Sequence, residues 1–182
     1  MDRRFIGQAY KISCFTDAVR LKRFPGSDIR MWAHYENNGM GIRIEFDSED
    51  IPYRIDAVRY TRESPRLNLS TISSMDDITD FIETCVVTKH KIWEPEQEAR
   101  IIFRGPSASV CFDPEVRLHR WLLPLGYIKE IAIGEALLKS SNSSSSMKRI
   151  QSIVRNAPQT ISIVASVRDY NSFGLKYREI TI

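Results

Sequence analysis

Glu96, Glu98 and Arg100 recur at every second position, the spacing at which side chains of one β-strand share a face, about 6–7 Å apart. Two carboxylates so placed can divide labour. One stays ionised to grip a hydroxyl or stabilise a cationic transition state, while the other, its pKa raised by its neighbour, moves a proton. The same charges also read as a solvated strand face with a short-range Glu–Arg pair, which contributes only about 0–1 kcal/mol. Lys89 stands four residues after Cys85 on an apolar stripe. Its ammonium either snorkels at the helix end or meets an acid, and Glu96 and Glu98 lie just beyond the Lys91-Ile92-Trp93 connection. His34 offers an imidazole that titrates near neutrality, and Tyr35 beside it offers a hydroxyl and a ring. Trp32 and Tyr35 also suit a core role, because large aromatics supply much of a small domain's buried area.

Other chemistries find less support. The histidines are His34, His90 and His119, with no helical His-x-x-x-His spacing, so no imidazole-based metal site is expected. Cys14, Cys85 and Cys111 are widely spaced and form no Cys-x-x-Cys pair; buried, reduced thiols are expected. Cys14, followed by Thr16 and Asp17, could hold a nucleophile, but no basic partner is evident. There is no glycine-rich phosphate loop and no Gly-x-Ser-x-Gly elbow.

These residues need a scaffold, and hydrophobic periodicity supplies one. Tyr10 to Thr16 reads as a strand closed by Asp17. After the Pro25-Gly26 loop, Ser27 or Asp28 caps a helix carrying Ile29, Met31, Trp32 and Tyr35 on one face, with His34 at its edge. Asn38-Gly39 stops it. Gly41 to Asp47 alternates cleanly, Ile42, Ile44 and Phe46 against Arg43, Glu45 and Asp47. A strand near Ala57 to Tyr60 precedes a helix capped at Ser74, whose Met75, Ile78, Phe81, Ile82, Cys85 and Val86 form the stripe that Lys89 extends. Glu96 to Phe103 and Tyr127 to Gly134 are strands, the serine-rich tract 140–146 is a flexible loop in which Ser146 caps the next helix, and Met147 to Val154 is a helix that Pro158 ends. Thr160 to Val167 and Leu175 to Ile182 close as a hairpin around Asn171 to Gly174. The mixture of hairpins and crossovers predicts one α+β domain over residues 1–182, its mixed, mostly antiparallel sheet flanked by about three helices.

Composition agrees with such a domain. At 182 residues, 42% hydrophobic and 27% charged, the chain can bury a core. No apolar run approaches the roughly 20 residues that span a bilayer, and no signal-peptide stretch follows Met1 to Ile6, so a cytoplasmic protein without a membrane partner is expected. A net charge of +3 permits an anionic partner without the concentrated charge of a dedicated nucleic-acid binder.

Taken in order, Ser13-Cys14-Phe15-Thr16, Met31-Trp32-Ala33-His34-Tyr35, Gly41-Ile42-Arg43-Ile44-Glu45-Phe46, Thr88-Lys89 and Trp93-Glu94-Pro95-Glu96-Gln97-Glu98-Ala99-Arg100 resemble the bacterial family known as domain of unknown function 2971. The resemblance covers roughly residues 12–134. It implies a bacterial origin and, by association, a place among defence or toxin genes. Members of that family usually begin with a Lys-Tyr strand, a helix and an Asn-Asp-Pro turn that have no counterpart before Tyr10, and Pro95 and Ala99 stand where aromatics are common. The site is then either reduced or completed by a protein partner. The family's layout is similar to that of ADP-ribosyltransferases, and on that analogy Glu98 stabilises an oxocarbenium ion, Glu96 orients the acceptor and Tyr35 stacks on the nicotinamide of NAD.

Three functions follow as expectations. The first is an ADP-ribosyl transferase or hydrolase acting on a nucleotide or nucleic acid, with Glu98, Glu96 and His34 catalytic, Lys89, Arg100 and Tyr35 binding substrate, and no metal. The second is a metal-dependent nuclease using Glu45, Glu96 and Glu98. The third is a non-catalytic binding or interaction module in which the charged strand face latches the helix ends.

Overall fold

The computed structural model describes residues 10–24, 26–49, 51–104, 110–113, 118–121, 123–172 and 174–181. The expectations on Met1 to Ile6, Pro25, Phe173 and Ile182 lie outside these residues, as do the side chains of Cys111 and His119. In chain order the elements are β1 (Tyr10–Thr16), α1 (Ala18–Leu21), α2 (Ser27–Tyr35), β2 (Ile42–Phe46), β3 (Ile55–Ala57), β4 (Arg59–Thr61), α3 (Met75–Val86), β5 (Thr88–His90), β6 (Glu98–Arg104), β7 (Val110–Asp113), β8 (Leu118–Trp121), β9 (Ile128–Gly134), α4 (Glu135–Leu138), α5 (Ser143–Asn156), β10 (Ser162–Asp169) and β11 (Gly174–Glu179). Short 3-10 segments fall at Leu69–Thr71, Lys91–Glu96 and Leu125–Tyr127. The chain is α+β with mostly antiparallel pairing. Among the described residues no helix is long and apolar enough to cross a membrane.

The strands are shared among several sheets, and the chain packs as two compact units, Met1–Phe24 with Tyr53–Trp121 and Pro25–Pro52 with Leu122–Ile182. In the first unit β6 is central, antiparallel to β1 on one side and β3 on the other. Its alternation buries Ala99, Ile101 and Phe103. The strand expected near Ala57 to Tyr60 is two strands. Val58 is buried and its N–H donates to the Glu98 carbonyl at 2.9 Å, whereas the Arg59 N–H donates to Val87 at 2.8 Å. The chain thus leaves the β6 edge at Val58 and pairs parallel with β5. α3 starts as its sequence predicts, with a reciprocal Ser74–Asp77 capping box.

The second unit is built on the sheet β11-β10-β9-β2, in which only β9 and β10 are parallel. One face carries Ile128, Ile131, Ile133, Ile161 and Ile163 against Leu137 of α4 and Ile150 of α5, the crossover between the parallel strands. The other face places Ala132 and Val164 against Trp32 of α2, with Leu175 and Tyr177 alongside. Covered on both faces, β9 reads as a continuous apolar run.

Three local expectations are corrected here. Ser143 to Ser146 form the first turn of α5, not a loop, with Asn142 at the cap position and the Ser146 N–H donating to its carbonyl at 3.1 Å. Serine suits a first turn, where free N–H groups tolerate its hydroxyl. At α2 the capping position is Gly26, in the left-handed region at φ 74°, and Ser27 and Asp28 are already helical. Cys14 and Cys85 are exposed, not buried, because Cys14 sits on the edge strand β1 and Cys85 on an open side of α3. The left-handed stop at Asn38-Gly39 forms as expected, joined by Asn37.

Candidate functional site

In the first unit the structure brings Lys89, Glu96, Glu98 and Arg100 together. Two of the four arrive by a route the spacing does not predict. α3 ends at Val86, and parallel pairing with β4 draws Lys89 into β5 opposite Tyr60. Glu96 ends the 3-10 segment instead of sharing the strand face, because Gln97 adopts a left-handed conformation at φ 46° and interrupts the alternation. Gln97 is buried, its N–H donating to the Glu94 carbonyl and its carbonyl accepting from Asp17 at 2.8 Å.

Glu98 is the hub, its side chain only 9% exposed. Arg100 donates to it through Nε at 2.8 Å and Nη2 at 3.0 Å, taking one carboxylate oxygen each. The second oxygen also accepts Lys89 Nζ at 3.1 Å, and the Cys14 thiol hydrogen-bonds the same carboxylate. Burial alone would raise the pKa of Glu98, but the hydrogen bonds from Arg100, Cys14 and Lys89 win and hold it at about 2. Lys89 also donates to Glu96 and lies 5.2 Å from the Trp93 ring centroid. Against the cost of burial, its two acid partners raise its pKa. Arg100 Nη1 donates to the carbonyl of Val86, the last residue of α3, where a cation complements the helix end.

Tyr60, which the sequence did not single out, accepts the Glu98 backbone N–H at 2.7 Å. Its own pKa is raised, first by burial. For Cys14, desolvation of the sulfur, the hydrogen bond to Glu98 and that carboxylate's charge push the thiol up to about 11. It is therefore a poor nucleophile at neutral pH. A carboxylate held near 2 with its oxygens occupied has likewise little capacity to accept a proton or touch a substrate.

The remaining candidates belong to the second unit. His34 is exposed in the last turn of α2. Tyr35, expected in the core, is 64% exposed, because α2 turns Trp32 to the sheet instead. Trp32 is buried and donates through Nε1 to the Tyr177 hydroxyl at 3.1 Å. Glu45 lies on β2 beside Arg43, at 3.7 Å. Among the described residues no three His, Cys, Asp or Glu side chains are arranged to hold a metal ion.

Around Trp32 lie groups that sequence reasoning missed. Arg43 bonds Glu130 at 2.6 Å and stacks 4.5 Å from the centroid of the Tyr177 ring. Glu36 is pushed up to about 7 by burial, which the Arg43 charge only partly offsets. Its Oε2 and the Arg43 Nε are buried without hydrogen-bond partners. Arg43 was legible as a member of the polar face of β2; Glu36 had no signal in the spacing.

The second unit also holds a cleft of about 300 Å³, bordered by Trp32 and Ala33 of α2, Asn38, Glu135, Ser166 and Arg168. It lies at the carboxyl ends of β9 and β10, where ligands of parallel strand pairs commonly bind. Gly134 lets the cleft form: a Cβ there would lie 2.1 Å from the Gly39 carbonyl oxygen, so only glycine admits the left-handed turn against the strand end. Of the expected site residues, none lines this cleft. No family profile, curated protein or solved structure matches the chain.

Proposed function

We propose that this protein is a non-catalytic binding module whose ligand is a small molecule held in the cleft at the ends of β9 and β10. One observation carries the reading. Ser166 is only 3% exposed yet lines the cleft, bringing a hydroxyl to a wall that also carries Trp32, Ala33 and Leu175. A placed polar group in a partly apolar concave wall is what orients a bound small molecule. The cleft volume is at the small end of the range for ligand sites, suited to a metabolite-sized compound more than to a dinucleotide.

The charged cluster of the first unit supports the same reading from the other side. Four donors surround Glu98, and Arg100 ties that strand to the end of α3, as expected of a latch. This arrangement favours a brace over an oxocarbenium stabiliser or proton carrier.

Ala33 is exposed at the cleft border, so Ala33→Trp fills the cleft without disturbing the core. In a melting-temperature screen against a small-molecule library containing neutral and charged compounds, hits are expected with the wild type and lost with Ala33→Trp. A library without hits, or hits indifferent to Ala33→Trp, would overturn the proposal.

A further inference from the structure

Resting on that assignment of the cleft, we infer that its ligand carries a carboxylate or phosphate group, bound by Arg168 and Ser166. Both residues lie on β10, two apart, on the face that also carries Val164 and meets Trp32. Arg43 on the same sheet face is committed to Glu130, Glu45 and the Tyr177 ring. The Arg168 guanidinium, by contrast, makes no salt bridge among the described residues, although its charge helps lower the pKa of Glu135. The one carboxylate bordering the cleft, Glu135, is already matched: Lys139 donates to it, and so does the Arg168 backbone N–H at 3.3 Å.

The cleft lining therefore carries two cations, Lys139 and Arg168, against the one carboxylate of Glu135, and Arg168 is a planar group with paired donors that suits bidentate capture of a carboxylate or phosphate. The Ser166 hydroxyl supplies a further donor from the buried end of the same strand face, and the Asn38 amide borders the opening. A neutral ligand would leave the guanidinium unmatched. A cation would meet it.

Calorimetric titration with inorganic phosphate and, separately, with succinate tests the inference at low salt. At least one probe is expected to bind the wild type at a single site. Arg168→Gln should weaken that binding about tenfold or more, and Ser166→Ala should weaken it less. Lys148→Gln removes the same charge from an exposed position on α5 and should bind as the wild type does. Arg168 is exposed, so its variant should keep its melting temperature. Binding of phosphate alone identifies a phosphoryl ligand, and binding of succinate alone a carboxylate. Unchanged binding in Arg168→Gln, or no binding of either anion, overturns the inference. If neutral compounds still bind in a manner that Ala33→Trp blocks, the cleft assignment stands and only the anion falls; if nothing binds, both fall.

Discussion

Arg100 reaches both oxygens of Glu98, through Nε at 2.8 Å and Nη2 at 3.0 Å, and spends its remaining nitrogen on the carbonyl that ends α3. One guanidinium thus joins the central strand of the first unit to its longest helix. The pair is almost wholly buried, its side chains 15% and 9% exposed.

Glu98→Gln is expected to destabilise the protein by about 3–5 kcal/mol, because it leaves the Arg100 guanidinium buried without its anion, while Lys89 keeps Glu96. Urea denaturation measures the change. A loss below about 1 kcal/mol would mean that the cluster behaves as an ordinary surface pair.

Acid should undo the same brace. Glu98 falls from 4.5 to about 2 on folding, so its contribution is present above 4.5 and lost as pH drops toward 2, a difference of roughly 3 kcal/mol. Glu98→Gln should flatten much of this limb. The slope that remains includes Asp77 and Asp169, which are also held near 2 by their serine and lysine hydrogen bonds, and Glu135, lowered by its hydrogen bond with Lys139.

Glu36 acts with the opposite sign. Its pKa rises from 4.5 to about 7 on folding, so its contribution is present below 4.5 and fades as pH climbs through 7. Stability should therefore decline between pH 4.5 and 7, and Glu36→Gln should remove that decline. An unchanged slope in the variant would place the titration elsewhere.

Cys14 is accessible yet should alkylate slowly at neutral pH, since its thiol sits near 11. Peptide mapping after timed iodoacetamide treatment follows it directly. Glu98→Gln removes the negative charge that helps raise the thiol, so Cys14 should react faster in that variant even under conditions where it remains folded.

Gly134→Ala should lower the urea midpoint by the equivalent of about 1–3 kcal/mol, because its new methyl group would overlap the Gly39 backbone. A tolerated alanine would mean that the Asn37 to Gly39 turn can move away from β9.

The legible parts of the sequence are those where one local rule governs. Ile42, Ile44 and Phe46 alternate and form β2; Ser74 and Asp77 cap α3; Asn38-Gly39 ends α2. Glu98 and Arg100 follow strand spacing and do pair. Where a tertiary contact competes, the local rule misleads. Lys89 leaves its helical stripe for a strand, and a single left-handed residue, Gln97, takes Glu96 out of register while leaving it within reach of Lys89. Ser166 and Arg168 gave no signal, because a serine and an arginine on an apolar strand become a site only once Trp32 and the Asn37 to Gly39 turn are folded over that face.

The chain passes between its two units three times, which bears on how it is made. As synthesis proceeds, β1 emerges long before β6, and β2 long before β9, so neither early strand finds its partner on leaving the ribosome. The Ile42, Ile44 and Phe46 strand stays without its partner until β9 has been translated. Folding of the second unit thus awaits β9 and β10, and a nascent chain stalled before β9 presents a sticky strand to holding chaperones.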